Sequence, residues 1–244
     1  MIAAVVAAVV AAVASLAAAP PPARRCGRPS APAVVVGLHT SDGVRLDGAI
    51  VGHGSRGVVL VHETGRLGLC GWWPYATRLA ARGFRALVFD LRCSGFSECS
   101  QQHGDAAELD VGAAAAELRR RGCTSVELVG ASSGGSAVLV AAAHDARIAA
   151  VANLSGDVNE LDLGVTPPTT AQAAAARLRM PVLFALARDD PYVTVPEERA
   201  IYRRVPARAK QLVVLPRTAG HGWDMVEQPS FDRRLTAFLR RHAS

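Results

Sequence analysis

Aromatic side chains are scarce, at 5% of the chain, and lysine is nearly absent, with Lys210 alone among 26 arginines. The arginines are scattered, with no run longer than Arg119-Arg120-Arg121, and no aromatics are interleaved with them. A net charge of +6 without a basic stripe or stacking residues reads as a solvated surface, so no nucleic-acid partner is expected. Five cysteines are present, but no Cys-x-x-Cys pair, which excludes zinc-ribbon and zinc-finger spacing. No repeat of 20 to 50 residues recurs, which excludes a solenoid or propeller. Charge is missing altogether before Arg24.

That last absence divides the chain. Residues 2–19 are apolar apart from Ser15, long enough to cross a bilayer core of about 30 Å. No Lys or Arg precedes the run, and Pro20 to Pro22 follow its last alanines. Residues 1–32 are therefore read as a signal peptide or membrane anchor with a Pro-rich linker, giving a secreted or membrane-anchored protein. The alternative is a cytoplasmic protein with a misassigned start or a nonspecific Ala-rich extension. No later stretch is long and uncharged enough to span. Residues 33–244 have the size of one filled domain.

Within that body, Val34 to Val36 and Val44 to Val51 flank the turn Ser41-Asp42-Gly43, the pattern of an antiparallel hairpin. Apolar strand-length runs at Val58–Val61, Phe84–Phe89, Val126–Gly130, Ile148–Leu154, Val182–Leu186 and Gln211–Leu215 alternate with helical stretches. Those helices are expected over residues 72–82, 105–121, 136–143, 170–178 and 196–204. The closing helix carries Phe231, Leu235, Phe238 and Leu239 on one stripe. Alternation of this kind implies an α/β fold, a mostly parallel sheet behind an antiparallel N-terminal hairpin, with helices on both faces.

The chemistry concentrates in Gly130-Ala131-Ser132-Ser133-Gly134, a Gly-x-Ser-x-Gly motif between a strand and an apolar helix. A turn this tight excludes Cβ atoms at its flanks and presents the Ser132 hydroxyl at the carboxyl end of the sheet. The Ser133 N–H, at the helix start, is placed to stabilise an oxyanion. Serine needs a base, and His221 in Ala219-Gly220-His221-Gly222-Trp223 lies just past the last strand, on a loop able to swing over the sheet edge. His39, His53, His103, His144 and His242 fall on turns and helix surfaces and are assigned no task. The base needs a carboxylate. Asp189 and Asp190 both follow a strand, and the Asp190-Pro191-Tyr192-Val193 turn favours Asp190.

The order Ser132, Asp190, His221 resembles that of the α/β-hydrolases, and the likeness runs over nearly the whole body. Val59-Leu60-Val61-His62 resembles the strand leading to that superfamily's oxyanion loop. Asp90-Leu91-Arg92 with Ser94-Gly95-Phe96-Ser97 resembles its Asp-x-Arg-Gly-x-Gly-x-Ser turn. The resemblance implies a second oxyanion N–H from Thr64. Glu63 and Cys93 stand where those proteins usually carry glycine.

Serine as nucleophile sets the chain apart from the Asp-dependent dehalogenases and epoxide hydrolases and from dienelactone-type members with cysteine. The expected activity is ester hydrolysis through an acyl-enzyme, with no metal or organic cofactor and a small-molecule ester as partner. A non-catalytic binding protein of the same fold, or a peptidase or haloperoxidase-like member using the same three residues, is the alternative. About 27 residues separate Leu154 from Val182, so a cap is expected to be small or absent and short to medium acyl esters are favoured. Trp72, Trp73 and Tyr75 are candidates for an acyl pocket or for core packing. Cys93 could pair with Cys99 and Cys26 with Cys70, although spacing does not decide pairing. Oligomeric state is not readable from the sequence.

Overall fold

The computed structural model describes residues 25–27, 32–99, 106–157, 161–162 and 169–242. The apolar leader and His103 lie outside these.

The described residues form ten strands: β1 (Ala33–His39), β2 (Arg45–Val51), β3 (Arg56–Val61), β4 (Phe84–Phe89), β5 (Ser125–Ala131), β6 (Ala150–Leu154), β7 (Leu161–Asp162), β8 (Thr169–Thr170), β9 (Val182–Ala187) and β10 (Lys210–Leu215). Eight of them make one sheet in the order β1-β2-β4-β3-β5-β6-β9-β10. The β1–β2 and β2–β4 pairs are antiparallel, and all other neighbours in this sheet run parallel. β7 and β8 form a separate short antiparallel ladder. The helices are α1 (Trp73–Ala81), α2 (Ala107–Arg120), α3 (Ser133–His144), α4 (Ala171–Ala175), α5 (Val195–Arg204) and α6 (Pro229–His242).

The strand sequences explain the two layers. In β3, Val59 and Val61 face one core with Val111 and Leu118 of α2, Val138 of α3 and Ile201 of α5. Val58 and Leu60 face the opposite core with Leu79 of α1 and Phe231, Leu235, Phe238 and Leu239 of α6. Successive strand residues point to opposite faces, so a continuous apolar run is what a sheet covered on both sides requires. Each of the four α6 side chains is at most 2% exposed and stabilises by about 1.5–3 kcal/mol relative to exposure.

Two expectations need adjustment. α3 begins at Ser133, not Ser136, because Gly134 and Gly135 are part of the helix. The segment before α1 is a 3-10 turn, Gly68–Trp72. Of the two roles left open for Trp72, Trp73 and Tyr75, core packing is the one observed, since all three are buried. Trp72 donates its indole N–H to the Val61 carbonyl at 2.8 Å, fixing the turn to the end of β3.

Candidate active site

Every parallel strand delivers its last residue to one edge of the sheet, and the candidate residues gather there. β5 ends at Ala131, and Ser132 follows with φ 49° and ψ −121°. This is a left-handed conformation that costs a serine about 1–3 kcal/mol and persists only when neighbours enforce it. The neighbours are visible. A Cβ on Gly130 would lie 2.0 Å from the Gly134 carbonyl oxygen, and one on Gly134 would lie 2.4 Å from the Val61 carbonyl oxygen. The Ser132 N–H donates to the Leu154 carbonyl at 2.9 Å, and the Ser132 carbonyl accepts from Gly135 at 2.7 Å. The hydroxyl is thereby lifted over the start of α3, whose first N–H, on Ser133, has no partner within the helix.

The candidate oxyanion loop follows β3. Thr64 donates its hydroxyl to Ser133 Oγ at 3.0 Å, tying the loop to the start of α3. His62 braces it from below, with Nδ1 2.7 Å from the Glu63 carbonyl and Nε2 accepting the Leu91 N–H at 2.9 Å. That pairing assigns the proton to Nδ1, and burial holds the His62 pKa below its ordinary value. His62 is thus a neutral strut between two loops.

His221 and Asp190 are brought together. His221 Nδ1 lies 2.9 Å from Asp190 Oδ2 and 3.0 Å from Oδ1. Asp190 Oδ1 also accepts the N–H groups of Tyr192 at 3.0 Å and Val193 at 3.1 Å, so the Asp-Pro-Tyr-Val turn wraps the carboxylate it orients. Burial alone would raise the Asp190 pKa. The bonds from His221 and Tyr192 and the nearby Ser155 hydroxyl outweigh it and hold the carboxyl below its usual range. Asp189 points outward and pairs with Arg217 at 2.6 Å. The Tyr192 ring stands edge-on to His221, centroids 4.8 Å apart.

Gly222 links the histidine loop to the nucleophile turn. A Cβ there would be 2.0 Å from Glu63 Oε2 and 3.2 Å from the Ala131 Cβ. Glu63, where a glycine was expected, therefore projects its carboxyl under the His221 loop. Its Oε2 is buried without a hydrogen-bond partner, and burial raises its pKa against the pull of His221 and the Trp223 N–H. No hydrogen bond joins the Ser132 hydroxyl to His221 among the described residues. Such contacts often tighten only when substrate is bound.

Two loops at this edge are stapled. Cys26 is disulfide-bonded to Cys70, within the turn after the oxyanion loop, and Cys93 to Cys99. Cys93 has φ 62°, which explains why glycine is usual at its position. Cys123 is buried and free. Among the described residues no cluster of His, Cys, Asp and Glu could hold a metal ion, and no helix is long and apolar enough to cross a membrane.

A model of the dienelactone hydrolase family matches residues 38–235, nearly the whole body. The chain belongs to the dienelactone hydrolase family. This family member is a hydrolase with the α/β-hydrolase fold. Its serine at position 132 does not exclude it from the dienelactone-type group, as the sequence had suggested. Similar solved structures include an esterase of Pyrococcus furiosus, with TM-score 0.76, 20% identity and coverage of 91% of this chain and 94% of that one. A thermophilic esterase of Thermogutta terrifontis matches with TM-score 0.69 and 20% identity, over 86% of this chain and 100% of that one. A monoacylglycerol lipase of Paleococcus ferrophilus matches with TM-score 0.67 and 19% identity, over 81% and 99%. At these identities the likeness establishes the fold. No curated protein matches the chain.

Sequence reasoning missed four participants. Glu63 had been noted only as a departure, and the sequence carries no signal that it meets Gly222. His62, Ser155 and Tyr192 act on the site through contacts made only in three dimensions.

Proposed function

We propose that this dienelactone hydrolase family member is a serine carboxylesterase acting on short to medium acyl esters. Ser132 Oγ attacks the ester carbonyl while His221 Nε2 takes its proton. Asp190 holds the Nδ1–H and stabilises the imidazolium that forms. The N–H groups of Ser133 and Thr64 receive the oxyanion. His221 returns the proton to the leaving alcohol, and a water activated by the same imidazole then releases the acid and frees Ser132.

One observation carries this reading: a strained serine at a strand–helix turn on the same sheet edge as a His221–Asp190 pair, held by backbone amides. The described part of the chain between β6 and β9 holds only the β7–β8 ladder and the five-residue α4, which supports an open site and small acyl groups. Export or membrane anchoring through residues 2–19 is part of the proposal, and two disulfides favour an oxidising compartment.

A fluorophosphonate probe should label the wild type and leave Ser132→Ala unlabelled; labelling that survives the substitution would overturn the mechanism. In chain-length kinetics kcat/KM should fall beyond medium acyl groups, and a preference for long chains would sink the substrate assignment.

A further inference from the structure

The short N-terminal arm is fastened to the same sheet edge as the candidate active site. Arg25 pairs with Asp47 through one guanidinium nitrogen and with Asp90 at 3.0 Å through another. The Gly27 carbonyl accepts the Trp73 indole N–H at 3.0 Å, and Cys26 is covalently bound to Cys70. Asp90 follows β4 at its carboxyl end. It gathers the rim of the site, accepting the N–H of Leu69 at 2.9 Å and of Phe96 at 3.3 Å. In the strand order, β4 lies two positions from β5, which delivers Ser132. At about 4.8 Å per strand, the arm is held roughly 10 Å to the side of the nucleophile.

Three exposed apolar side chains mark the same edge, while Val34 and Val35 are exposed on the outer strand β1. Leu67, Phe96 and Tyr192, 60%, 43% and 77% exposed, are three of the five large hydrophobic residues exposed among those described. Leu67 opens the turn that carries Cys70. Phe96 lies under the Arg25 guanidinium, 4.7 Å from the ring centroid, and Tyr192 stands against His221. The far pole is of opposite character. Arg82, Arg233, Arg240 and Arg241, with Thr236 and Ala237, line a surface cavity of about 490 Å³ beside the amino end of β4.

The length of chain before the arm decides which pole can meet a membrane. Between the apolar run and Arg25 lie residues 20–24, which span at most ~20 Å when fully extended. A body of this size is ~40 Å across. A bilayer holding residues 2–19 can therefore touch the arm's edge and cannot meet the arginine pole end-on.

We infer that the carboxyl edge of the sheet, with Leu67, Phe96 and Tyr192 at its rim, docks on a lipid bilayer held there by the arm, so that the site opens toward the membrane surface. This rests on the anchored form of the proposed function and adds to it the source of substrate, esters partitioned into the bilayer surface. Tyrosine and apolar side chains beside an arginine suit the interfacial region.

The test uses the full chain, residues 1–244, in vesicles of brominated phosphatidylcholine. Single tryptophans are added at Leu67→Trp and Phe96→Trp on the rim and at Ala237→Trp on the far pole, and wild-type emission is subtracted. Added emission at positions 67 and 96 should be quenched at least threefold more than at 237, and either rim variant suffices if the other fails to fold. Equal quenching, stronger quenching at 237, or none at all overturns the inference. Repeating the measurement with anionic phosphatidylglycerol included asks whether the arginine cavity can turn the molecule over. Greater quenching at 237 there also counts against it. Fluorophosphonate labelling of Ser132 on the same vesicles separates the two readings. Labelled but unquenched protein removes the membrane face alone, and quenched but unlabelled protein removes the esterase alone.

Discussion

The sheet holds acids in two different environments. At its carboxyl edge, just past β9, the carboxylate that serves the site is Asp190, which accepts bonds from His221, Tyr192 and Val193 and is held ionised. Inside the sheet, on β5, Glu127 lies between Val58 of β3 and Ala150 of β6 with no partner for either oxygen. Burial alone governs it and pushes its pKa up to about 8, with only Arg56 pulling the other way. The edge has spare N–H groups from turns and helix starts, whereas the sheet interior has spent its backbone donors on ladders. Asp190 is therefore a charged tool at the edge, and Glu127 a neutral passenger inside.

The largest effect should come from disabling the edge. Asp190→Asn keeps two backbone amide contacts available but loses the orientation of His221, so kcat should fall by about 10³- to 10⁴-fold with little change in fold. Steady-state kinetics beside circular dichroism checks this, and a loss under tenfold would mean that Asp190 does not orient the base.

The next effect tests whether the edge is held from outside the sheet. Cys26–Cys70 closes a sequence separation of 44, for which loop-closure entropy gives about 4 kcal/mol. Cys93–Cys99 closes a separation of 6 and is worth about 2 kcal/mol on the same scale. Urea unfolding of a Cys26→Ser/Cys70→Ser variant should show the larger loss. It should also lower activity, since Cys70 sits just past the oxyanion loop. Equal stability with and without the bond would show that the arm is not a structural part of the edge.

Glu127 supplies the interior counterpart. Its folded pKa is raised, so the unfolded chain releases this proton first, near pH 4.5. The stability tied to the proton is complete below that pH and is lost as pH climbs toward about 8. Glu127→Gln should remove that slope and leave the protein about 3 kcal/mol more stable than the wild type at pH 7, relative to the difference at pH 4.5. Glu63 and Glu198, whose pKa values are also raised by burial, contribute a slope of the same sign that the variant retains. Parallel stability curves for the two proteins would refute the assignment.

The edge was more legible in the sequence than its supports. Alternating apolar runs and Gly130-x-Ser132-x-Gly134 follow from local rules, since strand periodicity and Cβ exclusion are written in neighbouring residues. The start of α3 was not, because Gly134 and Gly135 look like loop until the Val61 carbonyl and the Asn153 side chain are seen to exclude a Cβ. Nor was the ion network in which Arg92 joins Asp42 to buried Asp110, three residues from three separate elements. The burial of Trp72 and Tyr75 depends on helix–sheet packing that aromatic spacing does not encode.

The smallest effect distinguishes two adjacent residues of the same type. Asp189 and Asp190 both follow β9, and sequence alone left either able to serve the base. Asp189 carries a side chain 45% exposed, paired with an Arg217 that is 73% exposed, so solvent screens the pair and its stabilisation is about 0–1 kcal/mol. Asp189→Asn should therefore leave kcat within about twofold and move the unfolding midpoint hardly at all, with any shift vanishing in high salt. One residue further on, the same substitution removes most of the activity. If Asp189→Asn instead matched Asp190→Asn, the exposed carboxylate would be acting on His221 through the loop, and the division between a solvated acid and a wrapped one would fail where the two stand side by side.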